Sequence, residues 1–263
     1  MSNSKTFSLK TNKRGFTLIE LSIVLIIIGL LIVAVNSGTS LIRNAKLRSI
    51  TNEAKQYQVA VNSFFMKFDK YPGDFGQALG SGANASVAGN GNNQIEWRVT
   101  DASTSNSVNE GSNAWLQLID AGVLKEDIRT NMNVPEMMVT AITSANPIKH
   151  YPASAESSTG WIFNSVDDSS VITNYVQIVK SFNPNFSTDS DAPTIGSGSN
   201  GGSLNTSDSY SIDNKNDDGK RTSGDIRDNT DSSSCGTVAT PSDYDLTIDT
   251  ADVCSLAFKV TIN

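Results

Sequence analysis

The sequence predicts an α+β fold: a long N-terminal helix, membrane-embedded in its first half, followed by a head of short strands and helices. Three observations predict it. Residues 16–35 are apolar except for Thr17, Glu20 and Ser22. Beyond them Leu47, Ile50, Ala54, Tyr57, Val61, Phe64 and Phe68 recur at alternating steps of three and four, which marks one face of an amphipathic helix. Later runs, Tyr175–Lys180 and Ser255–Ile262, alternate apolar with polar side chains, the two-residue period of a half-buried strand.

Residues 1–15 come first. They carry Lys5, Lys10, Lys13 and Arg14 and no acidic side chain. The apolar run follows at once. As a helix it is about 30 Å long, the thickness of a bilayer's hydrocarbon core. With Lys13 and Arg14 immediately before it, and a basic collar of Arg43, Lys46 and Arg48 only further on, the positive-inside rule keeps the N-terminus in the cytoplasm and exports the rest. A secretory signal has a shorter apolar core and a small-x-small cut site. A plain signal anchor has no use for Glu20, since an unpaired carboxylate in hydrocarbon is costly and needs a partner or a role.

Lys13-Arg14-Gly15-Phe16-Thr17-Leu18-Ile19-Glu20 resembles the processing signal of type IV prepilins and type II secretion pseudopilins. The resemblance implies that a membrane-embedded prepilin peptidase cuts between Gly15 and Phe16 and methylates the Phe16 amine. Glu20 becomes the fifth residue of the mature chain and an assembly determinant. It divides the chain into a leader (1–15), a transmembrane half-helix (16–36), an amphipathic half-helix (37–71) and an exported globular head (72–263). It also implies a pilin-like head with an antiparallel sheet covering the amphipathic half. Its expected partners are the peptidase, other pilin or pseudopilin subunits, the inner membrane and an inner-membrane assembly platform. The expected location is a single pass of the inner membrane with the head in the periplasm, then the pilus or pseudopilus. Many pilins have proline where Ser37 stands; here Asn36, Ser37 and Gly38 are the expected weak spot in the helix, glycine costing roughly 1 kcal/mol against alanine.

Composition narrows the function classes. The 263-residue chain has formal net charge −7. Without residues 1–15 it keeps 16 Lys and Arg against 27 Asp and Glu, a mature charge near −11 that does not suit nucleic acid. Cys235 and Cys254 both lie on the exported side. An even pair in an oxidising compartment reads as one disulfide, the alternative being two buried thiols.

Within the head, Pro72-Gly73 marks a turn, Ile95–Val99 reads as a short strand, and residues 110–124 read as a helix with Ser112 as N-cap and Gly122 as C-cap. Trp161–Phe163 reads as a strand. From Ser181 to Gly236 apolar residues thin out and surface loop is expected, with Leu204–Asp213 as a short helix.

The sequence contains no nucleophile elbow and no phosphate-binding loop, and its single histidine, His150, has no Cys or His neighbours that suggest a metal centre. No enzyme activity is expected. One loop invites a cation. Counted from Asn214, oxygen side chains stand at Asn214, Asn216, Asp218 and Asp225 with Gly219 at the turn, the register of an EF-hand calcium loop. A turn that ends a helix is the competing reading. Calcium is thus the one candidate cofactor.

Overall fold

The computed structural model describes residues 15–80, 86, 88–95, 99–100, 107–108, 110–125, 152–157, 159–168, 171–180, 202–228, 235–236, 242–248 and 252–262. The leader up to Arg14, and His150, lie outside them.

Helix α1 runs from Leu18 to Phe68, 51 residues. The expected weak spot does not interrupt it. The Thr39 hydroxyl donates to the Asn36 carbonyl at 3.0 Å, and the helix passes through Gly38. A single glycine costs less than breaking a helix that is cooperative on both sides of it. The helix ends three residues before Tyr71, where Asp69 turns into the left-handed region at φ 55°.

The chain divides into two compact units, one up to Ala45 and one from Lys46 onward. In the first, apolar side chains of α1 are exposed all round, from Leu18 to Val35. This is the one described helix long and apolar enough to cross a membrane.

The second unit is the head. Here α1 buries Leu47, Ile50, Ala54, Tyr57, Val61 and Phe64, the face that the three-and-four spacing predicts. Its cover is a four-stranded sheet in the order β3-β4-β6-β5, with β3 at Gly160–Asp168, β4 at Val171–Val179, β5 at Ile226–Asp228 and β6 at Leu256–Lys259. All neighbours are antiparallel. Trp161 stacks edge-on against Tyr57 of α1 at 5.7 Å and lies 5.8 Å from Phe258 of β6. Gln58 ties the helix to the sheet by donating to the Lys259 carbonyl at 2.6 Å.

Helix α2, Glu110–Asp120, packs on the same aromatic group. Trp115 meets Tyr57 at 4.8 Å and Phe163 at 4.2 Å. The expected N-cap, Ser112, is buried inside α2, because the helix starts two residues earlier at Glu110, whose carboxylate accepts the Asn90 N–H. Its C-terminus follows expectation. Gly122 has φ +75°. Its N–H donates to Ile119 and that of Val123 to Leu118, the paired bonds of a glycine-terminated helix. The turn at Pro72-Gly73 docks on α2. Gly73 has φ +90°, and a Cβ there would lie 2.3 Å from the Glu110 carbonyl oxygen.

Several boundaries differ from expectation. Strand β1 is Val99–Thr100, paired with β2 at Ser107–Val108. Ile95 is buried but held by the Asn174 side chain instead of a ladder. Strands β3 and β4 outrun their apolar cores because they form one long hairpin, paired from Gly160↔Val179 to Asp168↔Val171. Strand β6 lies between β4 and β5, and Leu256, Ala257 and Phe258 are all buried, so both faces of the sheet are covered there. The short helix expected at Leu204–Asp213 is present as α3, shifted to Thr206–Asn216 with Asn205 as the N-cap that accepts the Asp208 N–H, whereas the whole of β5 lies in the stretch expected as loop.

Candidate functional site

The start of α1 carries the motif residues. Gly15 is exposed, and a Cβ built on it would meet no atom within 4 Å. Phe16 keeps 90% of its surface. The bond between them is open, and among the described residues no packing calls for a glycine there. Thr17 and Glu20 then close the helix start reciprocally. The Thr17 N–H and hydroxyl both donate to Glu20 Oε2 at 2.8 Å, and the Glu20 N–H donates to Thr17 Oγ1 at 3.3 Å. This is a capping box, in which two donors with no intrahelical acceptor are satisfied by each other's residue. The Thr-x-x-Glu spacing is legible in the sequence.

The helix also has an anchor point that the sequence did not reveal. The Glu53 carboxylate accepts the Trp161 indole N–H at 2.9 Å, the Ala155 N–H at 3.1 Å and the Ser49 hydroxyl at 3.1 Å. Seven residues earlier Lys46 faces Glu156 at 3.5 Å. Together they bracket the 153–157 segment onto α1.

Cys235 and Cys254 are joined in a disulfide, with Cα atoms 5.1 Å apart and 19 residues of separation. Both are buried. Cys254 also pairs with Leu204 at the entrance to α3, so the bond gathers the 235–236 segment, the start of α3 and the approach to β6.

Of the four expected calcium ligands, Asn214 and Asn216 close α3, Asp218 lies two residues beyond it and Asp225 directly precedes β5. Asn214 and Asn216 are on α3, and Asn216 Nδ2 donates to the Ile212 carbonyl. Asp225 faces Lys259 at 3.7 Å. The carboxylates that do converge are those of Asp213, Asp217 and Asp218, with one oxygen each within 4.8 Å of the others; of the expected set only Asp218 is among them. Each accepts donors from the protein. Asp213 takes the Gly219 N–H and the Tyr244 hydroxyl. Asp217 takes the N–H groups of Asp225 and Ile226. Asp218 takes the Lys220 N–H and the Ser223 hydroxyl. Burial pushes the Asp213 carboxyl up to about 6, against the pull of its two hydrogen bonds. The Ser223 hydroxyl holds exposed Asp218 below the usual carboxylate range.

Neither a curated protein nor a solved structure matches the chain. Residues 10–36 match the family model of the prokaryotic N-terminal methylation motif, which spans the open Gly15–Phe16 bond, the Thr17–Glu20 cap and the apolar half of α1. The chain therefore carries, on an α+β body with a long N-terminal helix, the signature of type IV pilins and pseudopilins.

Proposed function

We propose that this chain is a structural subunit of a type IV pilus or a type II secretion pseudopilus. Prepilin peptidase cuts it between Gly15 and Phe16 and methylates the new amine, and it assembles through α1. It crosses the inner membrane once, with a cytoplasmic leader and a periplasmic head, and leaves the bilayer for the filament with the help of an assembly platform. The observation that carries this reading is the methylation motif at residues 10–36 lying across an exposed Gly-Phe junction at the head of an apolar helix.

Three further features support it. The smallness of Gly15 has no packing use among the described residues, which fits a protease that must approach the bond. The apolar half of α1 leaves its side chains uncovered, as a segment needs that lies first among lipids and then among other helices. The head carries a disulfide, in keeping with an oxidising compartment.

Shearing cells and probing the released fraction for the head tests the proposal. A subunit is expected in the sheared fibres, starting at Phe16. A chain that stays wholly in the membrane fraction, with the assembly machinery present, would instead be an anchored binding domain that does not polymerise.

A further inference from the structure

The head leaves one face of α1 uncovered. Arg48, Asn52, Lys55, Val59 and Met66 are all exposed, and their spacing places them in one stripe along the helix. Val59 keeps 63% of its surface and Met66 76%. Among the described residues Arg48 and Lys55 have no ion-pair partner. The carboxylate of Glu53, close to them in sequence, is engaged by Trp161 and Ala155. The stripe is thus basic and apolar, on a mature chain near −11.

A surface of complementary character lies elsewhere on the head. From Asp228 to Phe258 the chain has six Asp and no Lys or Arg. Three of those Asp are neutralised from outside the stretch: Asp228 by Arg221, Asp243 by Lys220 and Asp252 by Lys180. Asp245 has no ion-pair partner among the described residues. Its carboxylate shapes a turn by accepting the N–H and hydroxyl of Thr247. That turn exposes Leu246 at 52% and Ile248 at 38%. One carboxylate beside two apolar side chains is the counterpart of Lys55 beside Val59.

We infer that the α1 stripe of one copy docks against the 245–248 turn of a second copy of this chain, Lys55 opposite Asp245 and Val59 against Leu246 and Ile248. The contact rests on the filament reading above and names the surfaces that meet. Lys55 and Val59 are about 6 Å apart along the helix axis, a distance that one or two residues of the turn can span. The two patches differ, so the contact is heterologous. Repeated from copy to copy it extends into an open string and does not close into a pair. Apolar burial supplies attraction, and the charge pair selects the partner and makes the contact salt-sensitive.

The test uses full-length copies in cells with the assembly machinery. Two differently tagged copies, one Val59→Cys and the other Leu246→Cys, are co-expressed and mildly oxidised. A heterodimer linked between positions 59 and 246, identified by mass spectrometry of the joined peptides, is expected in the sheared fraction. Its absence from sheared fibres that contain both copies overturns the contact. If nothing enters the sheared fraction, the filament reading fails. A 59–246 link found in membranes would then keep the contact, and none found there would overturn it as well. In a second arm Lys55→Glu, an exposed change, lowers sheared fibre about tenfold by facing like charges, and adding Asp245→Lys restores it. Wild-type amounts of fibre from Lys55→Glu, or a double variant no better than the single, overturns the inference.

Discussion

Thr17 and Glu20 hold each other. The threonine N–H and hydroxyl both donate to one oxygen of the glutamate at 2.8 Å. Both donors survive removal of residues 1–15, because the Phe16–Thr17 amide stays in the chain. The proposed cleavage would add a third group, the α-amine of Phe16, which is positive near neutral pH. Among the described residues Glu20 is satisfied locally by Thr17, and the proposed processing would offer it a charge partner, on its own chain or on the next one.

That relationship separates two roles by substitution. Glu20→Gln keeps the capping geometry, since glutamine serves at that position of a capping box, and removes the charge. Glu20→Val removes both. If the charge sets assembly, both variants are cleaved normally and both are missing from sheared fibres. Normal fibre from Glu20→Gln alone would mean that the cap is enough. Thr17→Ala costs the helix start about 1 kcal/mol and leaves cleavage intact, as intact mass would show.

Glu53 makes a stability prediction. Glu53→Ala leaves the Trp161 indole N–H and the Ala155 N–H without their acceptor. Hydrogen bonds to a charged acceptor contribute roughly 1.5–3 kcal/mol each, so the full chain in detergent is expected to lose about 2 kcal/mol or more in a denaturant melt of the head. Lys55→Ala on the exposed side is expected to change that melt by less than about 0.5 kcal/mol.

Glu53 also marks the limit of what the sequence tells. The periodicity of α1 is local, and it names the buried face correctly from Leu47 to Phe64. Glu53 lies on the polar side of that pattern, and its role depends on Trp161, more than a hundred residues away. Strand β5 was hidden for a related reason. It has three residues in a polar stretch, and its Asp228 is buried because Arg221 and the Ser255 N–H meet its carboxylate. The EF-hand register from Asn214 is present in the spacing, while the continuation of α3 through Asn216, whose Nδ2 donates to the Ile212 carbonyl, is not. At the N-terminus, by contrast, the motif, the cap and the helix are all local, so they are legible from residues alone.

The disulfide is expected to matter for the head. It joins residues 19 apart in sequence, a closure worth on the order of 3 kcal/mol in the chain-entropy model. It does so where α3, β5 and β6 bury many polar groups, among them Asp213, Asp228 and Ser255. Melting with and without reductant, alongside Cys235→Ser with Cys254→Ser, checks this. Both the reduced and the substituted chains are expected to melt lower by a similar amount.

Asp213 gives a pH dependence of definite sign. Its folded value, about 6, lies above the unfolded value near 3.8. The folded chain therefore binds the proton more tightly, and this group's contribution to stability rises as pH falls through about 6. Buried Asp74 is raised in the same direction. Asp218 is lowered, so its contribution is lost only as pH falls below the ordinary carboxylate range. Comparing Asp213→Asn with the wild type isolates the effect. The wild type is expected to gain stability relative to the variant between about pH 7 and pH 5. An unchanged difference across that window would mean that Asp213 does not titrate there.

The central claim is that residues 1–15 are a leader removed at an open Gly-Phe bond. Intact mass of the protein purified from cells containing prepilin peptidase, beside its Gly15→Val variant, tests it most directly. The wild type is expected to begin at Phe16 and carry one methyl group on its amine, while Gly15→Val keeps its leader. A wild-type chain that still begins at Met1, or one that begins beyond Val35, would contradict the account.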